Sequence, residues 1–305
     1  MQIESLNPEF GNLVAADATI DALASEFTFT EGPVWDPRGG RLVFSDIPVS
    51  NIWQWTAAKG AQVLYRNTQK ANGLALGLDG CIIACQGFGR SVSKIGEDGT
   101  LKILTSLYQG KKLNSPDDLV VRGDGSIYFS DPPYGIEIPQ LGTGGPKELT
   151  VNGFYRLMPG TSDPLLLVSD FDHPNGMAFS PDGKWLYVAD TAQYHVRKFQ
   201  VASDGSLSGG EVFIQLPNTG KPEGMGGPDG MKVDCNGNLY TTGPGGIWVV
   251  SPHAEVLGRL YIPQKTTSNL AWGDDDRRTL FITAWTTLYR VRTLIPGNCP
   301  VDLPW

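Results

Sequence analysis

Three carboxylates and three amides recur at one phase of a repeated pattern. The copies are Glu31-Gly-Pro-Val-Trp35, Asn72-Gly-Leu-Ala-Leu76, Asp117-Asp-Leu-Val-Val121, Asn175-Gly-Met-Ala-Phe179, Asp229-Gly-Met-Lys-Val233 and Asn269-Leu-Ala-Trp-Gly273. If the fold brings their first members together, the side chains present a layer of oxygen ligands. Hard cations such as calcium take about six to eight such oxygens. No His or Cys belongs to the set, which disfavours zinc held in its usual nitrogen and sulfur fashion. The expectation is one divalent cation, calcium first, with magnesium, manganese or zinc left open. Without a cation the three carboxylates would repel and rise in pKa. Asn or Asp before Gly is also a common turn signal, so any single copy is more often a turn than a ligand. Glu31 has no such preference, and six polar residues at one phase point to ligands.

The elements that would position these residues follow from the same repeat. Most copies carry a turn glycine eight residues on (Gly39, Gly80, Gly125, Gly183, Gly237), with Arg277 in the sixth. A second apolar run then begins at Leu42, Ile82, Ile127, Leu186, Leu239 and Leu280. Asp79-Gly80, Asp124-Gly125, Asp182-Gly183 and Asn236-Gly237 are hairpin signals. Third and fourth strands follow in most copies, and no segment sustains a helical period. Four-stranded units of roughly 40–55 residues repeated around a ring are propeller blades. The expected fold is all-β, a six-bladed β-propeller with four antiparallel strands per blade, as one domain over residues 1–305. The sixth copy lacks a fourth strand. Thr19–Ala24, within the N-terminal segment 1–26, would supply it and close the ring without a large open edge.

In such a ring the first strand of each blade lines the central channel, so the six polar residues form one layer at its mouth. The loop between the second and third strands returns to the same face. Gln86, Asp131, Tyr134, Asp190, Thr191, Gln193, Thr242 and Trp285 are therefore expected around the mouth. The longest irregular stretch, 132–151, reads as a loop over that face.

Composition excludes other classes. The 305 residues carry a net charge of −8, with no basic stripe to neutralise phosphates, so no nucleic-acid partner is expected. No apolar run approaches the ~20 residues of a membrane helix, and the first residues do not read as a signal peptide. A cytoplasmic protein, monomer or homodimer, is expected. Cys81 and Cys85 on one strand would stand roughly 13 Å apart, too far to bridge. A Cys235–Cys299 pair stays open.

Taken together, Glu31-Gly-Pro-Val-Trp35, Asn114-Ser-Pro-Asp-Asp118, Tyr128-Phe-Ser-Asp-Pro-Pro-Tyr-Gly135, Pro174-Asn-Gly-Met-Ala-Phe-Ser-Pro-Asp-Gly183 and Pro228-Asp-Gly-Met-Lys-Val-Asp234 resemble the gluconolactonase and regucalcin (senescence marker protein) family over about residues 27–292. The resemblance implies calcium or a similar ion held at Glu31, Asn175 and Asp229. A family position that is usually Asn, touching substrate or metal, matches Asp117. The mammalian members' substrate-binding Arg is replaced by Ser115. The resemblance implies hydrolysis of a small-molecule substrate, a sugar lactone such as gluconolactone. The cation would polarise the carbonyl and Asp229 would activate water. Asp117, Asn114, Tyr134 and Asn72 are the expected substrate contacts, with Asp117 also a candidate metal ligand. The alternatives are a diisopropylfluorophosphatase-like phosphotriesterase and a non-catalytic calcium-binding propeller. There is no Gly-x-Ser-x-Gly elbow for a serine hydrolase.

Overall fold

Each repeat places its most apolar run second, where a strand must be covered on both faces, and such continuous short runs read as fully buried strands. Ile82–Gln86, Ile127–Asp131 and Leu239–Gly243 are buried along their whole length. The structure, a computed structural model, describes residues 2–218 and 226–298. Six small antiparallel sheets stand in a ring, a six-bladed β-propeller. The innermost strands are Thr30–Asp36, Ala71–Leu76, Leu119–Val121, Pro174–Phe179, Met231–Val233 and Asn269–Gly273. Those of blades three and five are short, so Asp117 and Asp229 stand just ahead of their strands rather than within them.

The hairpin after each inner strand turns on a left-handed residue: Gly80, Gly125, Gly183 and Gly237 all have positive φ. In blade one that residue is Gly40 rather than Gly39, and in blade six Arg277 takes the conformation at φ 53°. The ring closes as the strand count requires. Ile20–Ala24 pairs antiparallel with Thr287–Arg292 and completes blade six. A strand absent from the sequence reading, Gln2–Ser5, adds to the outer edge of blade five by pairing with Val256–Tyr261.

Six apolar clusters hold the blades together, one per interface. In the seam between blades six and one, Phe27, Phe44 and Trp55 pack on Ala271, Phe281 and Leu288. Between blades three and four, Tyr128 and Phe154 meet Met177, Phe179 and Phe199. Adjacent blades thus bury their facing side chains, at roughly 25 cal/mol per Å² of apolar surface removed from water. Among the described residues, no helix is long and apolar enough to cross a membrane. Cys81, Cys85 and Cys235 lie among the described residues, whereas Cys299, and with it any Cys235–Cys299 pair, lies outside them.

Candidate functional site

Three local devices aim the ring residues. The first is a break in strand register. In blades one, two and four the pairing slips between Glu31 and Val34, Ala71 and Leu74, and Pro174 and Met177. Such bulges redirect a side chain that would otherwise follow the pleat. The second is the glycine that follows the ring residue. A methyl built on Gly32 would overlap the Asn72 carbonyl, and one on Gly176 would overlap the Asp229 carbonyl. These glycines are not turn residues. They let neighbouring inner strands converge until the ring closes. Gly176→Ala is expected to destabilise the fold by at least about 1–3 kcal/mol, because the clash is with backbone. Denaturant unfolding would measure it.

The third device is a carboxylate at the end of the second strand. Asp46 accepts from Thr28 N and Phe29 N at 3.1 and 2.9 Å. Asp190 accepts from Asp172 N and His173 N at 2.8 and 2.9 Å. Asp131 accepts from Asn114 N at 2.8 Å. Each thus clamps the segment leading into Glu31, Asn175 or Asp117. Thr242 serves blade five, accepting from Asp229 N at 2.8 Å. Gln86 donates to the Thr68 carbonyl at 2.8 Å, and it, Asp131, Asp190 and Thr242 are therefore buried clamps rather than lining of the open mouth.

The devices bring the six close enough to interact: the carboxylates of Glu31, Asp117 and Asp229 repel one another, and Asn269, Asn72 and Asn175 hydrogen-bond to them in turn. Glu31 Oε2 accepts from Gly32 N and from Asn269 Nδ2 at 2.6 and 3.0 Å. Asn269 is fully engaged, since its Nδ2 also reaches Asp118 at 3.2 Å and its Oδ1 accepts from Leu270 N. It orients Glu31, and its own oxygen is turned to the Leu270 amide. Asn72 Oδ1 and Asn175 Oδ1 are the opposite case, buried with no hydrogen-bond partner. An orphaned buried oxygen is costly unless something fills its place. Burial, then the charge of Asp118, pushes Glu31 up to about 7. Burial, then Glu31, raises Asp117 and Asp229 well above the usual carboxylate range. Asp229 keeps a face open by area, yet protein surrounds its carboxylate closely enough for desolvation to dominate. Orphaned amide oxygens among mutually repelling carboxylates fit a hard divalent cation. The donor set is mixed: among the described residues, no three His, Cys, Asp or Glu side chains alone form a metal cluster.

Tyr134 reaches this cluster. Its hydroxyl lies beside Thr191 and Asn175, and burial raises its pKa. It opens a short helix, Tyr134–Glu137, inside the 132–151 loop. That loop is anchored. Lys70 Nζ donates to the Pro139 and Gly142 carbonyls at 2.7 and 3.1 Å. Ser115, in the place of the mammalian Arg, accepts from Gly135 N and donates to Pro132 O, both at 2.8 Å. Asn114 is not brought to the ring. It is fully buried, and its amide donates to Asp131 O and Val151 O at the root of the loop. Trp285 packs on Phe29 with its ring centroid 5.3 Å away, and Lys265 Nζ lies 4.4 Å from its ring. Gln193 donates to Asp172.

Two charged residues were missed. Asp118, 4 % exposed, takes the slot that glycine fills in four other copies, and its carboxylate acts on Glu31, Asp117 and Asp229. That break in the pattern was the available signal. Lys232 opposes it: burial lowers its pKa while Asp118 and Glu31 raise it. Lys232 lines a cavity of about 390 Å³ in the channel, walled mainly by apolar residues such as Leu74, Leu119, Met177 and Trp272. None of the ring oxygens lines that cavity, so the chemistry belongs to the ring.

Comparison with known proteins gives the family. The family model described as the SMP-30/Gluconolactonase/LRE-like region matches residues 29–286. A gluconolactonase of Zymomonas mobilis is 32% identical over 96% of this chain and 86% of its own length. A pentonolactonase of Haloferax volcanii is 25% identical over 83% of this chain and 80% of its own. The solved gluconolactonase of Xanthomonas campestris superposes with a TM-score of 0.88 at 31% identity, over 96% of this chain and 95% of that one. The chain belongs to the SMP-30/gluconolactonase/LRE-like family.

Proposed function

We propose that the protein is a lactonase, an enzyme that opens a small sugar lactone such as gluconolactone at the ring of oxygens. Its gluconolactonase and pentonolactonase relatives support lactone hydrolysis. The observation that carries the siting is the pair of orphaned buried oxygens, Asn72 Oδ1 and Asn175 Oδ1, beside three carboxylates that repel one another. Glu31, Asn175, Asp229 and Asp117 would hold one divalent cation, calcium by donor chemistry. When bound, the cation supplies Lewis-acid polarisation of the lactone carbonyl.

Asp229 takes a proton from water as its oxygen attacks the acyl carbon. The bond from that carbon to the ring oxygen breaks, and the ring oxygen leaves as an alcohol with the proton returned to it. An ordinary aspartate is a weak base; burial raises the pKa of Asp229 in the metal-free protein, and with a cation bound that proton is released and the carboxylate is free to accept one from water. Tyr134 and Asn72 border the space above the ring as substrate contacts, and the anchored loop shields one side from water. The test is hydrolysis of glucono-1,5-lactone by metal-stripped protein, with calcium, magnesium, manganese or zinc added back. Activity restored by a cation supports the reading. Cation binding without lactone hydrolysis would refute the lactonase assignment.

The raised carboxylates also predict a pH dependence. In metal-free protein, Glu31 holds its proton up to about 7 against 4.5 ordinarily, and Asp117 and Asp229 shift the same way. A raised folded-state pKa gives stability that is full below the unfolded value and is lost as pH rises through the folded one. A bound cation removes that loss by displacing the protons. The gap in Tm between calcium-loaded and metal-free protein is therefore expected to widen from about pH 5 to about pH 7.5. Thermal unfolding across that range, with the same gap at every pH, would contradict it.

A further inference from the structure

Thr191 follows the second strand of blade four, Trp185–Asp190. Its Oγ1 lies 2.7 Å from the Pro228 carbonyl and 3.1 Å from Asn175 Nδ2. A hydroxyl has one proton to give and lone pairs to receive. A carbonyl can only accept, so the Thr191 proton goes to Pro228. Thr191 must then receive from Asn175, and only the NH2 end of that amide can donate. The oxygen end is left as the buried, unpartnered Oδ1.

We infer that Thr191 is a positioning residue that fixes which end of the Asn175 amide faces the ring, and so makes Asn175 a cation ligand. The Asn175 amide also bonds the Asp229 carboxylate and the Tyr134 hydroxyl, but both belong to the site that a cation and substrate would occupy, so without the Thr191 hydroxyl the amide could turn over and place an NH2 group where a cation needs oxygen. The same hydroxyl ties the Asn175 position to the residue before Asp229, and so spans two blades. The local sequence allows that approach: a methyl on Gly227 would stand 2.8 Å from both Thr191 Cγ2 and its carbonyl oxygen. The hydroxyl of Tyr134 also lies beside Thr191. The inference rests on the cation reading proposed above.

The test compares Thr191→Val, which keeps the shape and deletes the hydroxyl, with Thr191→Ser, which keeps the hydroxyl. Calcium is titrated into metal-stripped protein by calorimetry. Valine is expected to weaken calcium binding about 10–100-fold, the usual cost of losing a group that orients a ligand. Serine should stay within about threefold of the parent on the same principle. At saturating calcium, kcat of the valine variant should return toward the parent value, because the defect is in affinity. A valine variant that binds calcium as the parent does would overturn the inference alone. A parent that binds no cation would overturn the cation reading itself, and this inference with it. If circular dichroism shows the valine variant unfolded, Thr191→Ala takes its place, with the same 10–100-fold loss expected and parental affinity overturning the inference.

Discussion

Asp229→Asn is expected to lower kcat/KM for glucono-1,5-lactone by about a thousandfold, the upper half of what a positioned general base contributes. The substitution keeps the shape of the side chain and removes its ability to take a proton. It also removes a carboxyl whose pKa burial and Glu31 raise well above the usual range, so the metal-free fold should be no less stable. Loss of activity with retained or raised Tm would therefore separate a catalytic carboxylate from a structural one. Cation affinity must be measured beside activity, because Asp229 is also assigned as a ligand. If saturating calcium restored full turnover, the base would have to be sought elsewhere, with Asp117 next in line.

Glu31→Gln is the second large effect. Glu31 is 3 % exposed, and its Oε2 already receives hydrogen bonds from Gly32 N and Asn269 Nδ2. A glutamine would put an NH2 group into this crowded corner or turn it toward the ring centre. Either removes a full negative charge from the cation's surroundings. Calcium affinity is expected to fall on the order of a hundredfold or more, and activity with it, since breaking one partner of a buried charged set costs roughly 3–5 kcal/mol. Isothermal titration of metal-stripped protein would measure this. An unchanged dissociation constant would remove Glu31 from the ligand set.

Much of this was legible in the sequence because the informative signals are local. Asp-Gly turns and short apolar runs report on their own neighbourhood, so each second strand begins within a residue of expectation. Counting strands per copy was enough to find Thr19–Ala24 as the missing one. Gln2–Ser5 was not legible, because an edge strand added to blade five has no partner nearby in sequence to announce it. The phase of the six polar residues led to the expectation of a common layer, but what the following glycines do had no reading in the sequence. Gly32 and Gly176 serve close packing between strands, which only the assembled ring reveals. Asp131 and Asp190 were expected at the mouth, since their position in the repeat faces it. Their carboxylates instead receive backbone N–H groups that would otherwise be buried unsatisfied. Asn114, expected as a substrate contact, instead donates its amide to the Asp131 and Val151 carbonyls. Asp118 and Lys232 show the limit of pattern reading: one breaks the glycine phase and the other sits among apolar neighbours, and their coupling exists only across blades.

The seam between blades six and one has a consequence for how the protein is made. Glu31 and Asn269 bond across 238 residues of chain, and Ser268 reaches the Thr30 carbonyl across the same span. During synthesis, Glu31 leaves the ribosome long before the strands that flank Asn269. Blades one to five can collapse against one another in order, but blade six needs Ile20–Ala24 beside Thr287–Arg292. Contacts of such separation form slowly. The bond that orients Glu31 belongs to the same late-closing seam, so a chain stalled before closure is expected to have most of its blades and still be inert. Turnover then reports on completed closure, and the enzyme switches on only when its two ends have met.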